Sequence, residues 1–427
     1  MSTFEATSYQ NEFLADGATE VNAIVTVTAA TGGSSVGAAP GHNEMAEVIM
    51  IDTSGSMGQP TAKIRAARTA TCTAIDCLAE GTWFGVIGGA HTASLVYPES
   101  GTQLVRANAE TRLAAKHAVE RLTPVGGTAI STWLSLARRL FEQHPGAIKH
   151  AILLTDGRNE SEPEERLDQV VRECEGQFQC DCRGVGANWV VHELRQISTA
   201  LLGTVDIIPQ PDLIDDDFRA MTERAMGKAV NSVALRVWTP KGARLRFVKQ
   251  VAPQIDDLSA RATVVNPLTA DYPTGAWGNE ERDYHVCIDV PANPVGAEML
   301  AARVSIVVDG EVVSQALVKA NWTNDHELST QINEEVAHYT GQAELADAIQ
   351  EGLAARKSGD EQTATVKLGR AAQLAAETGN DATTRLLSKV VDIDDPATGT
   401  VRLKRNVEEV DEMALDTRST KTVRVNK

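Results

Sequence analysis

Nowhere in the chain does an apolar run approach the roughly 20 residues needed to cross a bilayer, which excludes a membrane-spanning helix from the reading. Basic charge is also in deficit. Forty Lys and Arg stand against 58 Asp and Glu, giving a formal net charge of −18. A surface of that sign repels phosphate, so attraction to nucleic acid or to an anionic membrane is excluded as a driving force; metal ions or basic partners suit it better. Cysteine is sparse: six residues, Cys72, Cys77, Cys174, Cys180, Cys182 and Cys287, in a chain of 427. That number, in a chain this long, argues for reduced thiols rather than a disulfide framework. The opening residues Met1-Ser2-Thr3-Phe4-Glu5 lack a basic segment followed by an apolar one, so the expected setting is cytoplasmic.

What is present is ordinary globular material, 42% hydrophobic and 23% charged, in a length that favours two or three domains over one core. Residues 18–30 alternate β-branched and small residues and predict one strand, broken by the glycine- and serine-rich stretch from Gly32 to Gly41. From Ala46 to Ile208, short apolar runs alternate with longer helix-period segments, the pattern of βα units around a mostly parallel sheet. Strands are expected at 46–51, 83–89, 94–97, 147–154, 178–185 and 205–208, and helices at 61–78, 108–122, 130–141 and 163–174, with Ser161 as a cap for the last. Another helix follows near 211–226, with Asp215-Asp216-Asp217 in its first turn, where acidic charge meets the positive end of the helix dipole.

Residues 229–323 turn strand-rich, with breaks at Pro240-Lys241-Gly242 and Asp309-Gly310, and predict a β-sandwich that the early strand joins. Residues 324–392 are alanine-rich and helix-periodic, with turns at Ser358-Gly359-Asp360 and Thr378-Gly379-Asn380-Asp381. The expected organisation is 1–44 as part of the sandwich, 45–228 as an inserted α/β domain, 229–323 as sandwich, 324–392 as a helical bundle and 393–427 as a flexible polar tail.

The chemistry concentrates in three places. Val48-Ile49-Met50-Ile51 runs directly into Asp52-Thr53-Ser54-Gly55-Ser56. Gly126-Gly127-Thr128 lies between two predicted helices, and Leu153-Leu154-Thr155-Asp156-Gly157 is an apolar strand ending in an aspartate. Two carboxylates and three hydroxyls, from Asp52, Ser54, Ser56, Thr128 and Asp156, form the all-oxygen inventory that suits a hard cation such as Mg2+. Mn2+ competes for the same donors.

Together these motifs resemble the metal-ion-dependent adhesion site of von Willebrand factor type A (VWA) domains. The resemblance covers about residues 45–210 and implies a doubly wound, Rossmann-like sheet for the 45–228 domain. It also implies that the hydroxyls often ligate directly, that the aspartates act through water, and that an open position takes a Glu or Asp side chain from a protein partner. The flanking regions resemble cytoplasmic bacterial VWA proteins from stress-response clusters.

Competing readings exist for each feature. One of the five site residues taken alone is equally a helix cap or loop end; all five in order are not. Cys174, Cys180, Cys182 and His192 lack the paired hooks of a structural zinc site and read as core thiols. His91 is the histidine to consider as a general base, with a simple turn residue the better reading. No nucleophile elbow or phosphate loop occurs, so no catalytic residue and no further cofactor site is assigned, and the expectation is a binding module and not an enzyme. A metal-dependent hydrolase built on Asp52 and Asp156, or a structural part of a larger assembly, are the alternatives. Thr417, Thr420 and Thr422 read as an inert solvated end rather than phosphorylation sites.

Overall fold

The strand Met45–Asp52 (β1) is apolar except for Glu47 and the terminal Asp52, and a strand apolar on both faces is stable only at the centre of a covered parallel sheet. In the computed structural model, which describes residues 2–31, 44–99 and 101–425, β1 occupies that place. It pairs in parallel with Trp83–Gly89 (β2) on one side and Ile148–Thr155 (β4) on the other. Ala93–Tyr97 (β3) runs antiparallel to β2, while Gln179–Val185 (β5) and Val205–Ile208 (β6) extend the sheet in parallel beyond β4. The order is therefore β6-β5-β4-β1-β2-β3, with the two-residue strand Val105–Arg106 beside β2. The chain reverses direction across the sheet between β1 and β4, and that crevice is where open α/β sheets place ligands. The glycine- and serine-rich break expected from Gly32 to Gly41 lies outside the described residues.

Helices Ala62–Cys77 (α1), Ala109–Glu120 (α2), Ile130–Phe141 (α3), Glu164–Cys174 (α4), Val191–Ala200 (α5) and Ile214–Met226 (α6) connect the strands. The unit formed by Ser34–Asn231 is thus α/β and doubly wound. The start of α2 shows why its boundary falls where it does. Asn108 Oδ1 accepts from Thr111 N, and Thr111 Oγ1 accepts from Asn108 N, each at 2.9 Å. Ser161 does not cap α4. Its cap position is Pro163 without a side-chain bond, and Ser161 N instead donates to Thr128 O at 2.9 Å.

At the amino ends of the strands, a buried polar group interrupts the apolar sheet. Glu47 in β1 and His150 in β4 stand opposite each other. His150 Nδ1 is 2.9 Å from both Glu47 carboxylate oxygens, and Nε2 is 3.2 Å from Asp181 Oδ2. Burial opposes the imidazolium, but the Glu47 charge and the Asp181 contact outweigh it and hold His150 up at about 10, against an ordinary 6.5. A raised value means that its stabilising contribution is complete below pH 6.5 and is lost as pH rises toward 10. Urea midpoints of the α/β unit should therefore fall across that window in the wild type, and the slope should flatten in His150→Gln. An unchanged slope would show that the imidazole is not charged in the fold.

The second unit, Met1–Gly33 with Ser232–Lys427, carries two sheets. One holds Ser2–Gln10, Glu20–Thr31, Glu280–Asp289, Arg244–Ala252 and Asp256–Asp257. The other holds Thr263–Asn266, Thr269–Trp277, Val230–Trp238, Glu298–Val308, Glu311–Thr323 and Phe13–Ala15. The N-terminal segment thus contributes strands to both. Ser8 Oγ donates to Leu317 O and Gln10 Nε2 to Lys319 O, each at 2.9 Å, tying one sheet to the other.

The helices Glu334–Ser358, Glu361–Glu377 and Asp381–Val390 follow. They turn at Gly359, which is left-handed, and at the caps Asp360 and Asn380. The polar stretch from 393 onward departs from the expectation of a flexible tail. Val391–Asp395 and Thr400–Leu403 form a hairpin, and Glu409–Arg418 is a helix whose Leu415 is buried with Leu353, Leu368 and Val401. Arg356 Nε holds Glu412 at 2.7 Å. Beyond it, Ile255 N donates to Thr420 O and Thr422 Oγ1 to Val251 O. A few apolar residues suffice here because they dock onto a core already formed by the preceding helices, which average composition does not register. Thr417 is buried and out of reach of a kinase.

Candidate metal centre

β1 and β4 run in register, with Ile51 opposite Leu154, so Asp52 and Thr155 emerge side by side at the carboxyl edge. Thr155 Oγ1 donates to Asp52 Oδ2 at 2.5 Å, and Ser54 N donates to Asp52 Oδ1 at 2.7 Å. The chain then turns through Gly55–Gly58 in a single 3-10 turn before α1. That turn brings Ser54 Oγ and Ser56 Oγ to 3.0 Å, and Ser56 Oγ donates to Asp156 Oδ1 at 2.6 Å. Two backbone bonds fasten the loop before α3 to this turn: Gly55 N to Gly126 O at 2.8 Å and Val125 N to Thr53 O at 2.7 Å.

Gly157 places the last donor. A Cβ on it would stand 3.3 Å from Ser56 Oγ and 3.4 Å from Thr128 Oγ1, so both hydroxyls face one small space that the missing side chain leaves open. The structure thus gathers Asp52, Ser54, Ser56, Thr128 and Asp156 at the β1/β4 switch. Asp52, Ser54, Thr128 and Asp156 are buried, while Ser56 is exposed and marks the open side. Burial pushes the Asp52 carboxyl up to about 6, and the neighbouring Asp156 charge adds to the effect. Two buried carboxylates beside three hydroxyls form a donor set lacking nitrogen and sulfur, the type that fits Mg2+ or Mn2+.

The loops are braced from behind. α3 has no side-chain cap of its own at Ala129; its free N–H groups are met from the loop after β4, where Asn159 Oδ1 accepts from Ile130 N at 2.8 Å and Glu162 Oε1 from Ser131 N at 2.9 Å. Asn159→Ala should cost about 1 kcal/mol by leaving that buried N–H without a partner. A urea titration of the variant reads the cost, and an unchanged midpoint would assign the bracing elsewhere.

Two contributors are not among the residues expected from the sequence. Thr155 positions Asp52, and Lys63, in the first turn of α1, places its Nζ 2.5 Å from Asp156 Oδ2. A signal for Lys63 existed: it is spaced with Ala67, Ala70 and Ala74 along the buried face of α1. His91 is exposed and lies against Gly126, where φ is +81° and a Cβ would run into His91 Nδ1. Cys174, Cys180 and Cys182 are free and buried. Burial pushes the Cys174 thiol up to about 12. Among the described residues, no three His, Cys, Asp or Glu side chains gather to share a metal, and no helix is long and apolar enough to cross a membrane.

Residues 47–207 match the von Willebrand factor type A domain family, and residues 373–419 match the von Willebrand factor type A C-terminal domain. The whole architecture is similar to a solved structure, von Willebrand factor type A from Catenulispora acidiphila. The identity is 50% and the TM-score 0.94, covering 99% of this chain and 97% of that one. The chain therefore belongs to the von Willebrand factor type A family, a family of modules that often mediate protein–protein interaction. The ArnB paralog VWA2 from Sulfolobus acidocaldarius shares the fold at 14% identity and a TM-score of 0.57, covering 99% of this chain and all of that one. No curated protein matches the chain.

Proposed function

We propose that the chain is a divalent-metal-dependent protein-binding module, a scaffold or adaptor and not an enzyme, that grips a Glu or Asp side chain of a partner. The observation that carries this reading is the convergence of three hydroxyls and two buried carboxylates on one space whose open side is at Ser56. Ser54, Ser56 and Thr128 would hold the ion, Mg2+ or Mn2+, with Asp52 and Asp156 orienting the hydroxyls and supplying negative charge. When bound, such an ion supplies a positive centre that accepts a carboxylate oxygen from outside. The hydroxyls are suited to this because neutral donors leave more of the ion's charge unspent than carboxylates do.

The brackets across the site restrict motion. Val125 N to Thr53 O and Ser161 N to Thr128 O keep the loops in place, so little rearrangement is needed when a partner arrives. A cytoplasmic setting belongs to the same proposal and is supported by the six cysteines all being free.

Affinity capture with the tagged chain, in Mg2+ and in chelator, followed by mass spectrometry, tests the reading. The same partners should appear in Mg2+ and vanish in chelator. Partners retained equally in chelator would instead mark a structural component that binds through other faces.

A further inference from the structure

Lys63 is nearly buried, and its Nζ lies 2.5 Å from Asp156 Oδ2. The other oxygen of that carboxylate accepts from Ser56 Oγ at 2.6 Å. Asp156 is therefore shared between a hydroxyl of the proposed metal centre and a fixed ammonium. Among the described residues Asp52 has no such partner: its oxygens accept from Ser54 N and Thr155 Oγ1, both neutral. Two carboxylates bring a charge of −2 to the cluster, and Lys63 reduces it to −1. A divalent ion on that background leaves the site at +1, whereas without Lys63 the loaded site would be neutral.

We infer that Lys63 is a built-in counter-cation of the metal centre, which holds Asp156 in place before the metal arrives, weakens the affinity for the metal, and reserves one positive charge for a partner's carboxylate. The inference rests on the metal-binding reading above. A buried carboxylate without a counter-charge is costly, so the metal-free fold is stabilised by the ammonium. Once the metal enters, that same charge repels it. The site is thereby tuned for a partner carrying one negative charge, and a neutral amide or carbonyl is the poorer ligand. A purely structural lysine would behave differently, because its loss would loosen Asp156 and weaken metal binding.

Calorimetric titration of Mg2+ into the full chain separates these outcomes. Lys63→Gln, which keeps a hydrogen bond to Asp156 without the charge, should bind Mg2+ about tenfold more tightly than wild type. It should also melt at a lower temperature when metal-free. Lys63→Arg, which retains the charge, should stay close to wild type in both measurements. Lys63→Met serves the same comparison if the glutamine variant does not fold. If wild type binds Mg2+ and the neutral variants bind it no more tightly, the inference is wrong while the metal reading stands. If wild type binds no Mg2+ at all, the metal reading itself fails.

Discussion

Thr128→Ala should abolish the stabilisation that Mg2+ gives the α/β unit and, with it, the metal-dependent capture of partners. The backbone of that loop should be unaffected, since its ties to the rest of the site run through Gly126 O, Val125 N and Thr128 O, none of them side-chain atoms. The hydroxyl that is removed faces the space beside Gly157 and Ser56. With free Mg2+ at a hundred times the dissociation constant, wild type should gain about 2.7 kcal/mol. The variant should gain almost nothing, while its metal-free melting curve overlays that of wild type. Asp52→Ala is less clean, because it also strands Ser54 N and the Thr155 hydroxyl. It should lower metal-free stability by about 1–3 kcal/mol in addition to removing metal binding. A Thr128→Ala protein that keeps its Mg2+-dependent stabilisation would remove the third loop from the site.

Gly89→Ala should destabilise the same unit by about 3 kcal/mol, at the upper end for overpacking. A Cβ there would run into the Trp133 ring. The fully buried indole cannot swing aside without breaking the bond from its Nε1 to Ala90 O at 2.7 Å. The damage should spread to the site, because Gly89 O accepts from Thr53 N and Ala90 O accepts from Ala129 N, next to Thr128. Urea denaturation followed by circular dichroism reads the cost. Gly146→Ala, where a Cβ meets nothing within 4 Å, is the control and should be neutral. Equal midpoints for the two variants would show that the Trp133 wall is softer than its packing implies.

The strands and helices that position the site were legible in the sequence, because a buried parallel strand is apolar along its whole length and the helices beside it repeat every three to four residues. Val48 to Ile51 and Leu153 to Leu154 are such runs, and the site residues sit at their ends. What was not legible has physical reasons. Ser2–Gln10 is mostly small and polar, and it is a strand only because its register against Glu20–Thr31 supplies partners. Thr269–Trp277 contains Pro273 and Gly275, which read locally as a turn. The helix Val191–Ala200 is absent from the expected elements, although Val191, Leu194, Ile197 and Ser198 recur at helical spacing and are buried.

At the centre itself, the sequence held the five oxygens but not the charge balance. Lys63 belongs to none of the three motifs. It is one lysine near a helix start, and only the fold brings it to Asp156 across 93 positions of chain. The same holds for Glu47, His150 and Asp181, whose pairing depends on strand register.

Whether the five oxygens hold one metal ion is decided by a crystal of the full chain grown in Mn2+, with anomalous difference density recorded near the manganese edge. A single strong peak is expected, bounded by Ser54, Ser56 and Thr128, with Lys63 still on the far oxygen of Asp156. Absence of density there, with the side chains otherwise in the same place, would contradict metal binding at this site.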